Sequence, residues 1–562
     1  MSVINTMSDQ ILVLDNRINV SDQTATAIFV SGVQISQIDT SNPDGSSFVS
    51  SIIFNNITTP SINSTIVSRR VRLKYTLVVS ADANPPILDP AAALDAGGAG
   101  CAMRCLGLQS ICSNASVILN GSTTNIDLRS TLSATQRRIP KDYLKRQASE
   151  CPSMADNLAC LSVDALGTAL TSQQVLSGYY NSDGTTRASY QPVAFDDGAH
   201  SFTYEVSEPL LISPFSLYEN ETGLALVNTL SLQLNYQFTN DMFVFGNAAA
   251  IPAGFSVVIS NPRLQLEYFQ VAADIVKIPS MVSVGYENLV VFNRALTPMA
   301  HTNAFQQFTA QSDTLRFSAM PDLIYIFARG GQITSRTSAV ATRSQADAFL
   351  TFAETPSVQI TLGNRSGLLT SASKHSIYEI SARNGYNSSY ADFSLGSGSL
   401  FILSPTKDLG LNLMAGDIAV GQNGSVNFQF QANYTNQNYV DATGATGGAD
   451  ITTMVPELVI IPVFSGRATL SPSNCIFSIA DLSESELRQL LRTADESDGT
   501  KVSSETLKPS IQGGSLFGSA KRLLSKVAEG MQSVAGHPIM SALAGMGGDT
   551  GGLLTGGKLR RR

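Results

Sequence analysis

The sequence predicts an all-β protein: two similar β-sandwich domains in tandem, followed by a short helical, glycine-rich and basic C-terminal tail. Three observations carry this expectation. Apolar and polar residues alternate with a period of two along many short runs, clusters of Gly, Pro, Asn and Asp separate those runs, and segments of the first half recur in order in the second. Composition agrees, because only 14% of the 562 residues are Asp, Glu, Lys or Arg, against roughly 25% in an ordinary soluble protein.

Residues 1–24 are expected to form an N-terminal arm. The opening lacks a basic flank before an apolar stretch, and nowhere do 18 apolar residues run together, so the expectation is synthesis in the cytoplasm without export or membrane spanning. The first sandwich is expected over 25–272. Within it Val71, Leu73, Tyr75, Leu77 and Val79 take one face of a strand and Arg72, Lys74 and Thr76 the other; Leu230 to Phe238 and Leu264, Leu266 and Tyr268 read in the same way. The stretch from about 128 to 200, with Arg137-Arg138-Ile139-Pro140 and Cys151 to Cys160, reads as a long excursion out of the sandwich. The second sandwich is expected over 273–480, with strands at Val358, Ile360, Leu362 and at Val426, Phe428, Phe430. Turns are expected at Asn84-Pro85-Pro86, Ser182-Asp183-Gly184 and Gly444–Gly448.

The repeat is the most informative feature. Leu230–Asn240 aligns without a gap on Val426–Asn436, 196 positions on. Leu210–Pro214 matches Phe401–Pro405, and Pro262–Leu266 matches Pro456–Ile460, at nearly the same spacing. Three segments in one order at a near-constant offset point to duplication of a β domain.

A tail is expected over 481–562. Ser483 and Glu486 form a capping box before Leu487, Leu490 and Leu491. Leu516, Phe517, Leu523, Leu524, Val527 and Met531 then recur at helical steps with Lys521, Arg522 and Lys526 between them, a basic amphipathic helix fit for docking inside a larger assembly. Lys558, Arg560, Arg561 and Arg562 close the chain as a candidate nucleic-acid contact. Residues 513–562 carry seven basic and two acidic side chains, net +5, so residues 1–512 carry −13 to give the formal total of −8. An acidic body with a basic tail follows.

Catalysis and metal binding find little support. The four histidines (His200, His301, His375, His537) are scattered, no HExxH or GxSxG occurs, and Cys101-x3-Cys105 lacks a histidine partner. Six cysteines are too few for a disulfide scaffold. Asp196-Asp197 reads as a solvated turn, and Gly552-x4-Gly557-Lys558 departs from a phosphate-binding loop because Leu559 stands where Ser or Thr would hold magnesium. Ten Asn-x-Ser/Thr sequons are what a chain rich in those residues produces by chance. No enzyme, cofactor or metal is expected.

These features together resemble the viral major capsid proteins of the double jelly-roll family, closest to those of adintoviruses and polinton-like viruses and more distantly adenovirus hexon. The resemblance covers about residues 50–480 and rests on Ser68-Arg-Arg-Val-Arg-Leu73, Ser116–Gly121, Asn261–Tyr268, Met320–Ile326 and Ser357–Asn364. It implies two eight-stranded jelly rolls, a homotrimer of pseudo-hexameric outline, an icosahedral shell with penton or minor capsid proteins, and a place in the virion. It also implies a maturation protease. Ile511-Gln-Gly-Gly514 before Ser515, Leu543-Ala-Gly-Met546 before Gly547 and Leu554-Thr-Gly-Gly557 before Lys558 fit the pattern such proteases cut. The tail helix would dock on protein in preference to a membrane. Two alternatives stay open: a single-roll RNA-virus capsid with a projecting β domain and Asn474-Cys475 as autocleavage junction, or a non-viral adhesive β protein.

Overall fold

The computed structural model describes residues 3–7, 10–13, 28–41, 50–83, 101–103, 106–138, 193–215, 223–245, 251–271, 278, 280–317, 319–330, 341–342, 349–363, 365–387, 389–394, 398–409, 426–435 and 453–479, apart from 301–306. The tail and the three expected turns lie outside these residues.

Eight strands build the first roll: β1 (Ile28–Asp39), β2 (Ser51–Thr58), β3 (Arg72–Ser80), β4 (Cys112–Leu119), β5 (Ser122–Ile126), β6 (Ser201–Pro209), β7 (Thr229–Tyr236) and β8 (Ser256–Val271). They pair antiparallel as two sheets, β1-β8-β3-β6 and β2-β7-β4-β5. The second roll repeats this with β9 (Val282–Leu289), β10 (Gln307–Gln311), β11 (Leu323–Gly330), β12 (Gln359–Leu362), β13 (Arg365–Leu368), β14 (Phe401–Leu403), β15 (Val426–Thr435) and β16 (Pro456–Ser471), ordered β9-β16-β11-β14 and β10-β15-β12-β13. Both rolls therefore carry the order 1-8-3-6 and 2-7-4-5, two jelly rolls of the same topology. Such an arrangement excludes a single roll with an unrelated projecting domain.

The period-2 rows fall where their chemistry puts them. In β3 the odd positions are buried and the even ones half-buried, and β7 and β15 repeat this inward row. β7 ends at Tyr236, however: Phe238 has φ 56° and caps a 3-10 turn, so the expected ladder through Phe238 stops two residues short. β8 is broken at a bulge between Ser260 and Arg263, where Asn261 has φ 48° and Pro262, which has no N–H to give a ladder, is accommodated. Pro262 lies within β8 whereas Pro456 opens β16, so the matched prolines are six positions out of step. An even slip keeps the same residues facing inward, which is why the alignment looked sound. Likewise Phe401–Leu403 form β14, while Leu210–Ile212 follow the end of β6.

Residues 128–138 correct a second expectation. They do not leave the sandwich, because α2 (Leu128–Gln136), N-capped by the Asp127 carboxylate on the Ser130 N–H, is buried along most of its length. The N-terminal residues also pair: Val3–Met7 and Gln10–Val13 form a hairpin whose second strand pairs antiparallel with Ile28–Val30 at the start of β1.

Candidate functional site

The feature that distinguishes this chain from two beads on a string is the junction between its rolls. β16 is the element that makes it. From Leu458 to Phe464 its apolar side chains belong to the core of the second roll, whereas Ala468 and Leu470 belong to the core of the first, together with Val282, Val284 and Tyr286 of β9. One strand thus serves two cores. β16 then turns back into β17 (Asn474–Ile479), whose Cys475 is buried in the first core. At the far end of this pair, opposite Ile479, the two strands approach closely because Gly466 has no side chain: a Cβ there would lie 2.1 Å from the Ser478 carbonyl oxygen.

Polar contacts close the seam. The Asn120-Gly121 turn between β4 and β5, with φ 46° and 87°, is the left-handed two-residue turn that Asn-Gly favours. The Asn120 amide saturates itself there. Its Oδ1 accepts from the Asn228 and Thr229 N–H groups at 2.8 and 3.2 Å, and its Nδ2 donates to the Leu226 carbonyl at 2.8 Å and to Ser471 of the second roll at 2.7 Å. Ser122 donates to the Cys475 carbonyl, and Thr124 Oγ1 meets the Tyr286 hydroxyl at 2.6 Å. Arg69, 8% exposed, sends Nε to the Pro214 carbonyl at 2.5 Å and Nη2 to Gly285 of β9 at 3.0 Å. Ser213 Oγ accepts the Glu287 N–H at 2.9 Å.

α2 completes the junction from the first roll. Ala134 belongs to the second core, the Arg137 guanidinium lies 3.8 Å over the Phe349 ring, and Arg138 hydrogen-bonds the Tyr325 hydroxyl and pairs with Glu287 at 3.7 Å. Asn387 returns the contact, donating its backbone N–H to Arg137 O at 2.9 Å and Nδ2 to Arg138 O at 2.6 Å. Elsewhere a small sheet joins connections of both rolls: Phe243–Phe245 pairs antiparallel with Cys101–Met103 and parallel with Ala341–Thr342.

Two buried acids organise the rolls themselves. Glu208, on β6, accepts from the Tyr75 hydroxyl at 2.6 Å, the Leu108 N–H at 3.1 Å and Gln109 Nε2 at 3.3 Å, tying α1 (Gly107–Ile111) to the sheet. Burial raises its carboxyl above the ordinary range, and these hydrogen bonds pull the other way. In the second roll Glu457 Oε2 holds Arg329 Nε at 2.8 Å, directly across the β11–β16 ladder.

Among the described residues, the chemistry-bearing ones singled out in the sequence do not gather. Asp196 Oδ1 accepts from the N–H groups of Gly198 and Ala199 in an exposed turn, as its sequence suggests. His375 pairs with Glu379 at the surface, and no group of three His, Cys, Asp or Glu side chains able to hold a metal occurs among the described residues. Asn474-Cys475 opens β17; burial pushes the Cys475 thiol up to about 11 and that of Cys112 to about 12, so both are protonated. Gly514, Ser515, Met546, Gly547, Gly557, Lys558, Arg560, Arg561, Arg562 and the helix from Leu516 and Phe517 through Leu523, Leu524, Val527 and Met531 lie outside the described residues.

Sequence reasoning missed Arg69 at the seam and Glu208 within the first roll, although a signal existed. Arg69 falls in phase with Val71 and Leu73, and Glu208 with Tyr204 and Val206, so each is a charged residue at a core-facing step. A charge in the wrong phase marks a buried partner.

Comparison with known proteins agrees with this geometry. Residues 8–191 match the family described as the Sputnik virophage major capsid protein first domain, and residues 292–397 match the major capsid protein V20 C-terminal domain. The putative capsid protein V20 of Sputnik virophage is 24% identical over 549 residues, covering 92% of this chain and 86% of that protein. Among solved structures, the cryo-EM structure of the Sputnik virophage superposes with a TM-score of 0.64 at 19% identity, covering 90% of this chain and 98% of its own. The mavirus major capsid protein does so at 0.59 and 16%, covering 81% and 92%. Two rolls of one topology locked through a shared strand, with matches falling in both halves, show that the chain belongs to the double jelly-roll viral major capsid proteins.

Proposed function

We propose that three copies associate about a threefold axis, so that six rolls of one topology approximate a hexagon, the tile of an icosahedral shell. The observation that carries this reading is the strand order, identical in both halves of one chain, which lets a trimer offer six near-equivalent sides. The low charge of the chain supports it, since broad contacts between copies are then made by neutral polar and apolar groups without many buried charges. Purified full-length chain viewed by negative-stain microscopy is expected to show hexagonal capsomers with a mass three times 59.6 kDa. A monodisperse monomer at every concentration and salt tested would refute the reading.

The same reading divides the chain into an arm (1–24), two rolls (25–272 and 273–480) and a tail (481–562) that faces the shell interior. There the amphipathic helix docks on a minor capsid or penton protein, and Lys558 with Arg560–Arg562 touches packaged nucleic acid, weakly per chain and significantly over many copies. A maturation protease trims the tail after Gly514, Met546 or Gly557. Intact-mass measurement of the protein from particles decides this: a full-length mass rejects trimming. Flotation of a 515–535 peptide with liposomes separates protein docking from membrane binding.

A further inference from the structure

The seam has a geometry that a simple adhesive contact does not need. Three connections of the first roll, β2–β3 with Arg69, β4–β5 with Asn120 and β6–β7 with Ser213 and Leu226, are first tied to one another and then to the second roll. Arg69 spans Pro214 and Gly285, one guanidinium nitrogen on each roll, and Asn120 Nδ2 spans Leu226 and Ser471 in the same manner. Both donors are buried, whereas their second-roll acceptors are exposed at Gly285 and half-buried at Ser471, so rotation of one roll against the other strands a buried donor at two separate points. Ser213 with Glu287 adds a third point. Three separated points fix the orientation of two bodies, and β16, whose side chains enter both cores, ties the rolls independently of the segment that connects them in sequence.

We infer that Arg69 and Asn120 are positioning residues that set the angle between the two rolls, so that each chain carries a preformed corner of the hexagonal tile before any contact with another copy. The inference rests on the trimer reading for its consequence, and on the seam alone for its mechanism. Asn120→Asp is the sharpest probe: it keeps an acceptor for Asn228 and Thr229 and suits the left-handed turn, and it removes the donor to Leu226 and Ser471. Arg69→Lys removes the two-pronged reach in the same way.

The test uses the full chain carrying both changes, with Leu266→Ala, a core change within the first roll, as a control. Class averages from negative-stain images report the share of hexagonal capsomers, and hydrogen exchange reports opening at 282–289 and 466–479. The double variant is expected to keep the wild-type far-ultraviolet circular dichroism, to lose at least fivefold in hexagonal capsomers relative to the control at the same interval below the melting temperature, and to exchange faster at the seam alone. A wild-type share of capsomers, or an equal loss in Leu266→Ala, overturns the inference. Should the double variant fail to fold, Asn120→Asp alone is read by the same exchange criterion, and uniform acceleration across both rolls counts against it. If the wild type itself forms no hexagonal capsomers, the trimer reading fails, and the exchange arm still decides the seam.

Discussion

Arg329 and Glu457 face one another across β11 and β16 with almost no exposure, and Nη1 and Nη2 of Arg329 have no partner among the described residues. Such a pair is costly to assemble and more costly to break singly. Arg329→Ala is expected to lower stability by about 3–5 kcal/mol, because Glu457 is left buried and unpaired, whereas Arg329→Met with Glu457→Leu recovers most of it. Urea unfolding of the three variants checks this, and a double variant no better than the single one would contradict it. Glu208 makes a prediction about pH. Burial raises its carboxyl in the folded chain, so the native state holds the proton more tightly than the unfolded one, and its contribution to stability falls as pH rises from the ordinary carboxyl range through the raised value. Glu208→Gln lacks that titration. The melting temperature of wild type relative to this variant is therefore expected to fall as pH rises above the ordinary carboxyl range, and a difference that stays constant or rises would remove the argument.

At the scale of elements, β3 shows how far alternation alone reaches. Leu77 is 1% exposed and Val78 half-buried on the outer row, so Leu77→Ala is expected to cost about 2–5 kcal/mol while Val78→Thr stays within about 0.5 kcal/mol of wild type. Chemical denaturation of the two variants side by side is the check. β16 obeys a different rule. Its first nine residues are buried on both faces and only its second half alternates, because the first half is covered from two sides while the second rests on the first roll. Pro462 is tolerated there because β9 ends opposite Val463 and Phe292–Ala295 begins opposite Ile460, so its missing N–H falls at a gap in the ladder. Gly466→Val is expected to push β17 away by collision with Ser478, seen as faster amide exchange over 474–479 with β12 unaffected.

For the whole molecule, the shared strand predicts that the rolls do not fold as separable parts. Residues 278–479 expressed alone would bare Val282, Val284, Tyr286, Ala468, Leu470 and Cys475, which are covered by the first roll in the intact chain. That fragment is expected to aggregate or to bind a hydrophobic dye strongly. A soluble fragment with a single cooperative melt and no dye binding would show that the first roll is dispensable to the second. The common topology is what duplication of one β domain would produce, and β16 joins the two cores.

Local chemistry alone determined much of this. Period-2 rows located β3, β7, β8, β12 and β15 with their inward faces, because a strand exposes alternate residues whatever its partner. The duplication was legible for the same reason, and its six-residue slip at Pro262 and Pro456 escaped notice because alternation cannot tell one even register from another. Only the tertiary structure decided that residues 128–138 turn inward as α2, that β16 feeds two cores, and that Arg69 and Asn120 grip the second roll. Those facts depend on groups up to 351 positions apart in the chain meeting in space. A pattern of near neighbours records which way a side chain faces, and it holds no record of what comes to meet it.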